Sequence, residues 1–387
     1  MNTKDMTTPS LRKSIGLSAW ALVICLATLC LGFSATADAP RKTFITFDAP
    51  GAGTGPGQGT SGIHLNPAGA ITGYYLDSGD VFHGYVRAPG GTITTFDAPG
   101  AGTGPNQGTL AFSINPAGAT AGIVRDPNIV RHGFVRDRNG AITTFDAPGA
   151  GTGPFQGTRV NNINPAGTTA GFLTDANDVN HGFVRDSNGA ITTFDAPGAG
   201  TGPGQGTVTE AAACINPAGA VVGNYTDASD VLHGYVRAPS GTITTFDAPG
   251  AGTGPGQGTD CTAINPEGQI AGIYFDTNDV AHGFVRDRNG AITTFDVPGA
   301  GTGPGQGTLG QDVNPRGTTL INYIDANDVN HGALRDRKGA ITTFDVPGAG
   351  TGPGEGTVPG SNNPAGTITG FYIDANDADH GFLVEGE

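Results

Sequence analysis

Tryptophan and cysteine are almost missing from this 387-residue chain, which holds one Trp and four Cys. Trp20, Cys25 and Cys30 all fall near the N-terminus, so only Cys214 and Cys261 are left for the rest of the chain. Two cysteines cannot staple a small disulfide scaffold. They occupy adjacent repeat units at offsets that differ by two residues, so a bridge between them stays open, with the Cα separation as the geometric objection. Positive charge is also scarce: 19 Lys and Arg stand against 34 Asp and Glu. That balance excludes nucleic acid and anionic membrane surfaces as partners. No segment after residue 33 is apolar for long enough to cross a membrane. No segment shows a helical period, because Gly or Pro interrupts each one. Nucleophile elbows, zinc spacings and catalytic triads are absent as patterns.

The N-terminus reads as a secretory signal peptide over residues 1–37. Lys4, Arg12 and Lys13 form its basic region, Ile15 to Phe33 its apolar run, and Ala35-Thr36-Ala37 its cleavage pattern. An uncleaved anchor is the alternative. Cleavage removes a net +2 and takes the formal charge from −15 to about −17. The expected location is secreted, either periplasmic or extracellular, with no membrane insertion after cleavage.

What fills the remainder is one unit repeated seven times. Thr-Phe-Asp recurs with Phe at 47, 96, 145, 194, 246, 295 and 344. His-Gly recurs with His at 83, 132, 181, 233, 282, 331 and 380. The period is 49 residues, with a single interval of 52 in each series. A fixed period of this length signals a stacked-repeat architecture. Within one unit, residues 160–164, 168–174, 179–185 and 190–194 read as four short strands, A to D. Turns at Pro165-Ala166-Gly167, Asp175-Ala176-Asn177-Asp178 and Asp186-Ser187-Asn188-Gly189 join them. The Gly/Pro stretch from Asp195 to Gly206 reads as a flexible crossing to the next unit, with glycines at positive φ.

Four strands per unit describe a blade of a β-propeller, which must pack against neighbours to bury both faces. Residues 43–48 form a D strand without its A, B and C, and residues 380–384 form a C strand without its D. The expectation is therefore an all-β, seven-bladed propeller over 38–387, closed by residues 43–48 completing blade 7.

Asn66-Pro67-Ala68-Gly69 with His83-Gly84-Tyr85, and Asn265-Pro266-Glu267-Gly268 with His282-Gly283-Phe284, resemble the extracellular HAF-repeat family of bacterial secreted proteins. This chain has His-Gly-Phe where the family name reflects His-Ala-Phe. The resemblance implies a secreted, propeller-like repeat protein and no catalytic residues.

Strand alternation puts the A–B and C–D turns on one rim and the B–C turns and D–A crossings on the other. Most aspartates, including Asp77, Asp175, Asp325 and the D-strand Asp48 and Asp97, should then share one rim. The opposite rim should collect Arg87, Arg136, Arg138, Arg185, Arg237, Arg286, Arg288, Arg316, Arg335, Arg337 and Lys338.

Three groups are candidate sites. The histidines His83, His132, His181, His233, His282, His331 and His380 are spread around a ring and cannot converge on one ion, so each reads as a structural hydrogen-bonder. The glycine after each leaves room for an aromatic ring. The turns holding Asp175, Asn177 and Asp178, and Asp325, Asn327 and Asp328, suggest Ca²⁺ ligands, but they lack an EF-hand's glycine and distal Glu. Asx turns explain the same residues without metal, so no cofactor is required. The units differ most in strand A. Two residues before each Asn-Pro they offer His64, Ser113, Asn162, Cys214, Ala263, Asp312 and Ser361. His64, Asn162 and Asp312 are thus the polar candidates for ligand binding at the central channel, with Glu210 and Asp260 near in sequence.

These features point to a secreted, non-enzymatic binding or interaction scaffold for a protein, small-molecule or glycan ligand. Two alternatives stay open: an extracellular lyase or hydrolase with its site at the channel mouth, and a surface protein whose acidic rim takes calcium.

Overall fold

A computed structural model describes residues 42–210 and 213–385; the leader expected over 1–37 lies outside them. The described residues form 28 strands and no helix. Blade 1 shows the pattern: strand A is Gly59–Leu65, B is Ile71–Leu76, C is Phe82–Arg87 and D is Ile93–Phe96. Each pairs antiparallel with the next, as in Gly59↔Leu76, Ile71↔Arg87 and Gly84↔Phe96. Seven such blades account for every strand. The first segment, Phe44–Phe47, pairs with Asp379–Val384 in the register Phe44↔Val384 to Phe47↔Gly381 and supplies the D strand of blade 7.

Strand A begins earlier than its β-formers suggest. In blade 3 it spans Gly157–Ile163 rather than starting at Val160. Gly157 has φ 107° and touches the backbone of Arg131 in blade 2, so a Cβ there would strike the Arg131 carbonyl. Only glycine permits that approach, which explains a Gly at this position in all seven units. The three extra residues of the 52-residue interval fall in blade 4, whose strand A shortens to Gly206–Val208.

The Gly/Pro crossing is pinned rather than flexible. In blade 1, Ala49 N–H donates to Thr60 Oγ1 (2.9 Å), Gly53 N–H to Leu76 O (2.8 Å) and Gly57 N–H to Asp377 O of blade 7 (2.7 Å). Gln58 accepts from Gly55 N–H and donates to Asp80 Oδ1 at 2.9 Å. Every crossing is thus tied to two blades.

Blades stack through aromatic rings. The glycine after each repeated His lies beneath its own blade's D-strand Phe, as with Gly84 under Phe96. At five junctions that Phe then meets the next blade's buried ring edge-on: Phe96 and Phe134 stand 6.0 Å apart at 76°. Rings of this kind, fully buried at Tyr85, Phe134, Phe183, Tyr235, Phe284 and Phe382, each contribute about 1.5–3 kcal/mol of burial.

The C-strand arginines are not free rim charges. Arg87 lies over Phe47 of the preceding blade at 4.9 Å, and Arg136, Arg185, Arg237, Arg286 and Arg335 repeat the contact. Blade 7 has Val384 there, and Lys42 covers Phe344 instead. The turns share rims as expected, since Gly118 of an A–B turn adjoins Arg138 of a C–D turn. The charge separation is less clean. Asp137, Asp186, Asp287 and Asp336 sit in C–D turns, while Arg125 and Arg131 flank a B–C turn.

Candidate functional site

The Asn of each Asn-Pro-x-Gly turn is nearly buried, and its side chain joins two blades. Asn66 Oδ1 accepts the N–H groups of Ala68 and Ala70 and so shapes its own turn. Its Nδ2 donates to the Asn115 carbonyl of the next blade at 3.2 Å. Asn115, Asn164, Asn216, Asn265 and Asn314 repeat this step, and Asn363 returns to Asn66 O. The result is a closed ring of seven hydrogen bonds around the axis. From sequence these residues end strand A and mark the repeat, with no role of their own; the invariance of Asn, where Asp or Ser would also lead into a turn, is the available signal.

Behind that ring stand the residues two positions earlier, and the structure does bring His64, Asn162 and Asp312 to the axis. It also occupies them. Asp312 Oδ2 accepts the N–H of Asn362 from blade 7 (3.0 Å), and Oδ1 accepts that of Val313 (2.8 Å). His64 Nδ1 faces the N–H of Ile114 in blade 2 at 3.5 Å. Asn162 Nδ2 donates to Ser113 Oγ at 3.0 Å. Burial raises the Asp312 carboxyl, offset by the N–H of Asn362 and by His64; burial lowers the His64 imidazole against the pull of Asp312. Ser361, in strand A of blade 7, stands with His64 and Asp312 around the axis. At the mouth only a shallow hollow of about 170 Å³ remains, lined by the Asn-Pro turns.

Cys214 and Cys261 are both free and buried, so no bridge forms. Burial raises both thiols and keeps them protonated.

In the turns considered for calcium, the carboxylates already serve as acceptors. Asp175 Oδ1 takes the N–H groups of Asn177 and Val179 (2.8 and 2.9 Å), and Asp178 Oδ1 takes Gln156 Nε2 (2.8 Å). Asp325 binds Asn327 and Val329 in the same way, with Asp328 on Gln306. For Asp175, burial alone would raise the carboxyl, but the N–H groups of Val179 and Asn177 outweigh it and hold it below the usual range. Among the described residues no three His, Cys, Asp or Glu side chains converge as metal ligands.

Each repeated histidine lies between two aspartates. His181 Nδ1 is 2.8 Å from Asp195 at the end of strand D, and Nε2 is 3.8 Å from Asp175 in the B–C turn. His83, His132, His233, His282, His331 and His380 follow the pattern, the last with Asp48 of the first strand. In five blades a Tyr stacks on the imidazole, as Tyr75 does on His83 at 4.8 Å. The imidazole cross-links turn to strand.

A larger hollow, about 370 Å³, opens between blades 5 and 6 on the A–B/C–D rim. Glu267, Gln269, Asp287, Arg288, Arg316 and Arg337 line it. Its signal in the sequence is modest: Glu267 and Arg316 replace the Ala found in the other Asn-Pro-Ala-Gly turns.

No protein-family model matches the chain, and no curated protein is significantly similar to it. Solved structures do resemble it. The BP39L lectin from Burkholderia pseudomallei aligns with TM-score 0.47 and 13% identity over 84% of this chain and 94% of that one. AofleA from Arthrobotrys oligospora aligns at 0.44 and 14% over 79% and 90%. A puromycin hydrolase aligns at 0.48 and 13% over 82% of this chain but 50% of its own. At such values the blade count and the sites rest on this chain's own pairings and side chains.

Proposed function

We propose that this protein is a secreted, non-enzymatic binding scaffold that takes a small polyhydroxylated ligand of the glycan class in a crevice between blades. The hollow between blades 5 and 6 carries this reading. Its volume suits one or two sugar rings. Its lining mixes guanidinium, carboxylate and amide groups, which together can donate to and accept from ring hydroxyls. The axis offers no comparable space, because His64, Asn162 and Asp312 are engaged with neighbouring blades. The N-terminal leader and the resemblance to HAF-repeat proteins support secretion.

A saccharide array probed with chain 38–387, followed by calorimetric titration, tests the reading. At least one array hit should bind wild type and lose about tenfold or more in affinity in R316A/R337A. An array on which no hit is weakened by these substitutions would sink it.

A further inference from the structure

Six of the seven B–C turns share one device at their fourth position: an Asp with φ near +60°, namely Asp80, Asp178, Asp230, Asp279, Asp328 and Asp377. Asp tolerates left-handed backbone better than larger side chains. Blade 2 departs from it. Its turn reads Asp126-Pro127-Asn128-Ile129, and Ile129 carries φ 61° with a β-branched side chain. Gln107, which would bond an Asp here, turns to Pro127 O at 3.0 Å instead. One hydrogen bond away is a second outlier. Phe155 N–H donates to Ile129 O at 2.9 Å, and Phe155 has φ 62° where the other blades hold Gly57, Asn106, Gly204, Gly256, Gly305 and Gly354. Six blades show that the fold needs neither side chain. Strain of this kind gathers at functional sites.

Phe155 is 48% exposed, the one exposed large apolar side chain among the described residues. Two guanidiniums flank its ring, Arg131 at 5.8 Å and Arg125 at 5.9 Å. Both are peculiar to blade 2: the other blades hold Leu76, Thr174, Thr226, Phe275, Ile324 or Ile373 where Arg125 stands. Arg125 gives one hydrogen bond, to Asn106 O at 3.3 Å, while Arg131 makes no hydrogen bond or ion pair among the described residues. Nε of each is buried without a partner. Burial, then Arg159 and Arg125, press Arg131 down to about 10, with Glu210 pulling the other way. Glu210 is itself paired with Arg159 at 2.7 Å. The pair Arg125/Arg131 therefore lacks a counter-charge of its own, on a chain that is strongly acidic overall.

We infer that Arg125, Arg131 and the exposed face of Phe155 bind an acidic sugar, a uronate unit of a polysaccharide, with its carboxylate on the guanidiniums and the C–H face of its ring on Phe155. Guanidinium presents paired donors that match a carboxylate. A rigidly held ring needs a flat apolar partner, which a pyranose face supplies. An acidic peptide suits the place less, because a glutamate chain offers carboxylates to Arg125 and Arg131 but no flat C–H face to the exposed ring of Phe155. This site shares with the proposed function only the premise of glycan binding, and it lies on the opposite rim from the hollow of blades 5 and 6.

The test is calorimetric titration of chain 38–387 with a galacturonate hexamer, its methyl ester and a hexaglutamate peptide. The hexamer should bind, the ester and the peptide should bind at least about tenfold more weakly, and R131A and F155G should each weaken the hexamer about tenfold or more. R316A/R337A should leave hexamer binding unchanged, which separates this site from the hollow. F155G relieves the left-handed strain, so its melting temperature should equal or exceed wild type, and lost binding cannot then be ascribed to unfolding. Absent hexamer binding, equal binding in F155G, or a peptide as tight as the hexamer would each overturn the inference.

Discussion

At the scale of single residues, this molecule keeps its ionisable groups either on hydrogen-bonded turns or inside its wall, and the two sets respond to pH in opposite senses. Asp260 in strand A of blade 5 accepts from Asn224 Nδ2 at 2.7 Å. Burial raises its carboxyl to about 7, against the Asn224 bond and with help from Glu210. Asp379 follows to about 6, through burial, against a hydrogen bond from Ser61. An unfolded Asp titrates near ~3.9, so the folded state holds these protons more tightly. Their contribution is present at low pH and is lost as pH rises from about 4 to about 7. The turn aspartates act the other way. The N–H of Val231 holds Asp227 down, so its contribution is lost only as pH falls below the usual carboxylate range. Above the turn-aspartate window and through that of the buried acids, melting temperature should fall by several degrees from pH 5 to pH 8. D260N, which keeps an acceptor for Asn224 without a charge, should flatten that slope and melt higher than wild type at pH 8. Parallel melting curves for the two proteins across this range would refute the assignment.

Among the elements, much was legible because strands and turns announce themselves in single residues. Asx turns, the Pro-Ala-Gly turns and the β-branched runs gave strands B, C and D to within a residue or so. Strand A was read short because its first residue, Gly157, looks like loop; its role is a backbone contact with another blade, which sequence does not display. The axial Asn ring and the Arg-over-Phe contacts were hidden for the same reason. They join units, while periodicity describes only what happens within one. The one visible inter-strand signal was a paired exception. Six blades set Gly on strand B opposite a buried aromatic on strand C, as Gly122↔Phe134, whereas blade 6 sets Ile321 opposite Ala333. Both are fully buried beside Phe295 and Tyr323. The volume has moved from one strand to the other. Ile321→Gly should cost about 3–5 kcal/mol through a cavity and added backbone freedom. Ala333→Phe alone should cost about 1–3 kcal/mol or more through overpacking. The double variant should recover at least half of the summed loss, since contacting residues couple. Urea unfolding of the four proteins measures this, and strictly additive losses would show that the pair does not share one space.

For the whole molecule, closure is the property on which both rims and the axis depend. Three contacts hold the first strand to the last blade: the backbone register from Phe44↔Val384 to Phe47↔Gly381, the 2.9 Å contact of His380 with Asp48, and Glu385 N–H on Thr43 O at 3.2 Å; Lys42 over Phe344 ties the same segment to blade 6. Blades 7 and 1 are also joined without that strand, by Asn363 to Asn66 O at the axis and by Gly57 N–H to Asp377 O at the crossing. Deleting residues 38–48 should therefore leave strand C of blade 7, Asp379–Val384, as an unpaired edge, and Phe44 would no longer shield the cluster around Phe382 and Tyr372. Unpaired edges recruit other chains. The truncated protein should elute as dimers or larger species and unfold with lost cooperativity. A circular permutant makes the complementary case. Residues 43 and 385 already touch, so a short linker can join them, and new ends can open in the exposed C–D turn at Asn188-Gly189, outside the strands. Because each blade meets its neighbours through the same set of contacts, the permutant should remain monomeric and melt within a few degrees of wild type. Size-exclusion chromatography with scanning calorimetry distinguishes the outcomes. A truncated chain as monomeric and as stable as the permutant would mean that the bonds from blade 1 to blade 7 close the ring by themselves and that the first strand is dispensable.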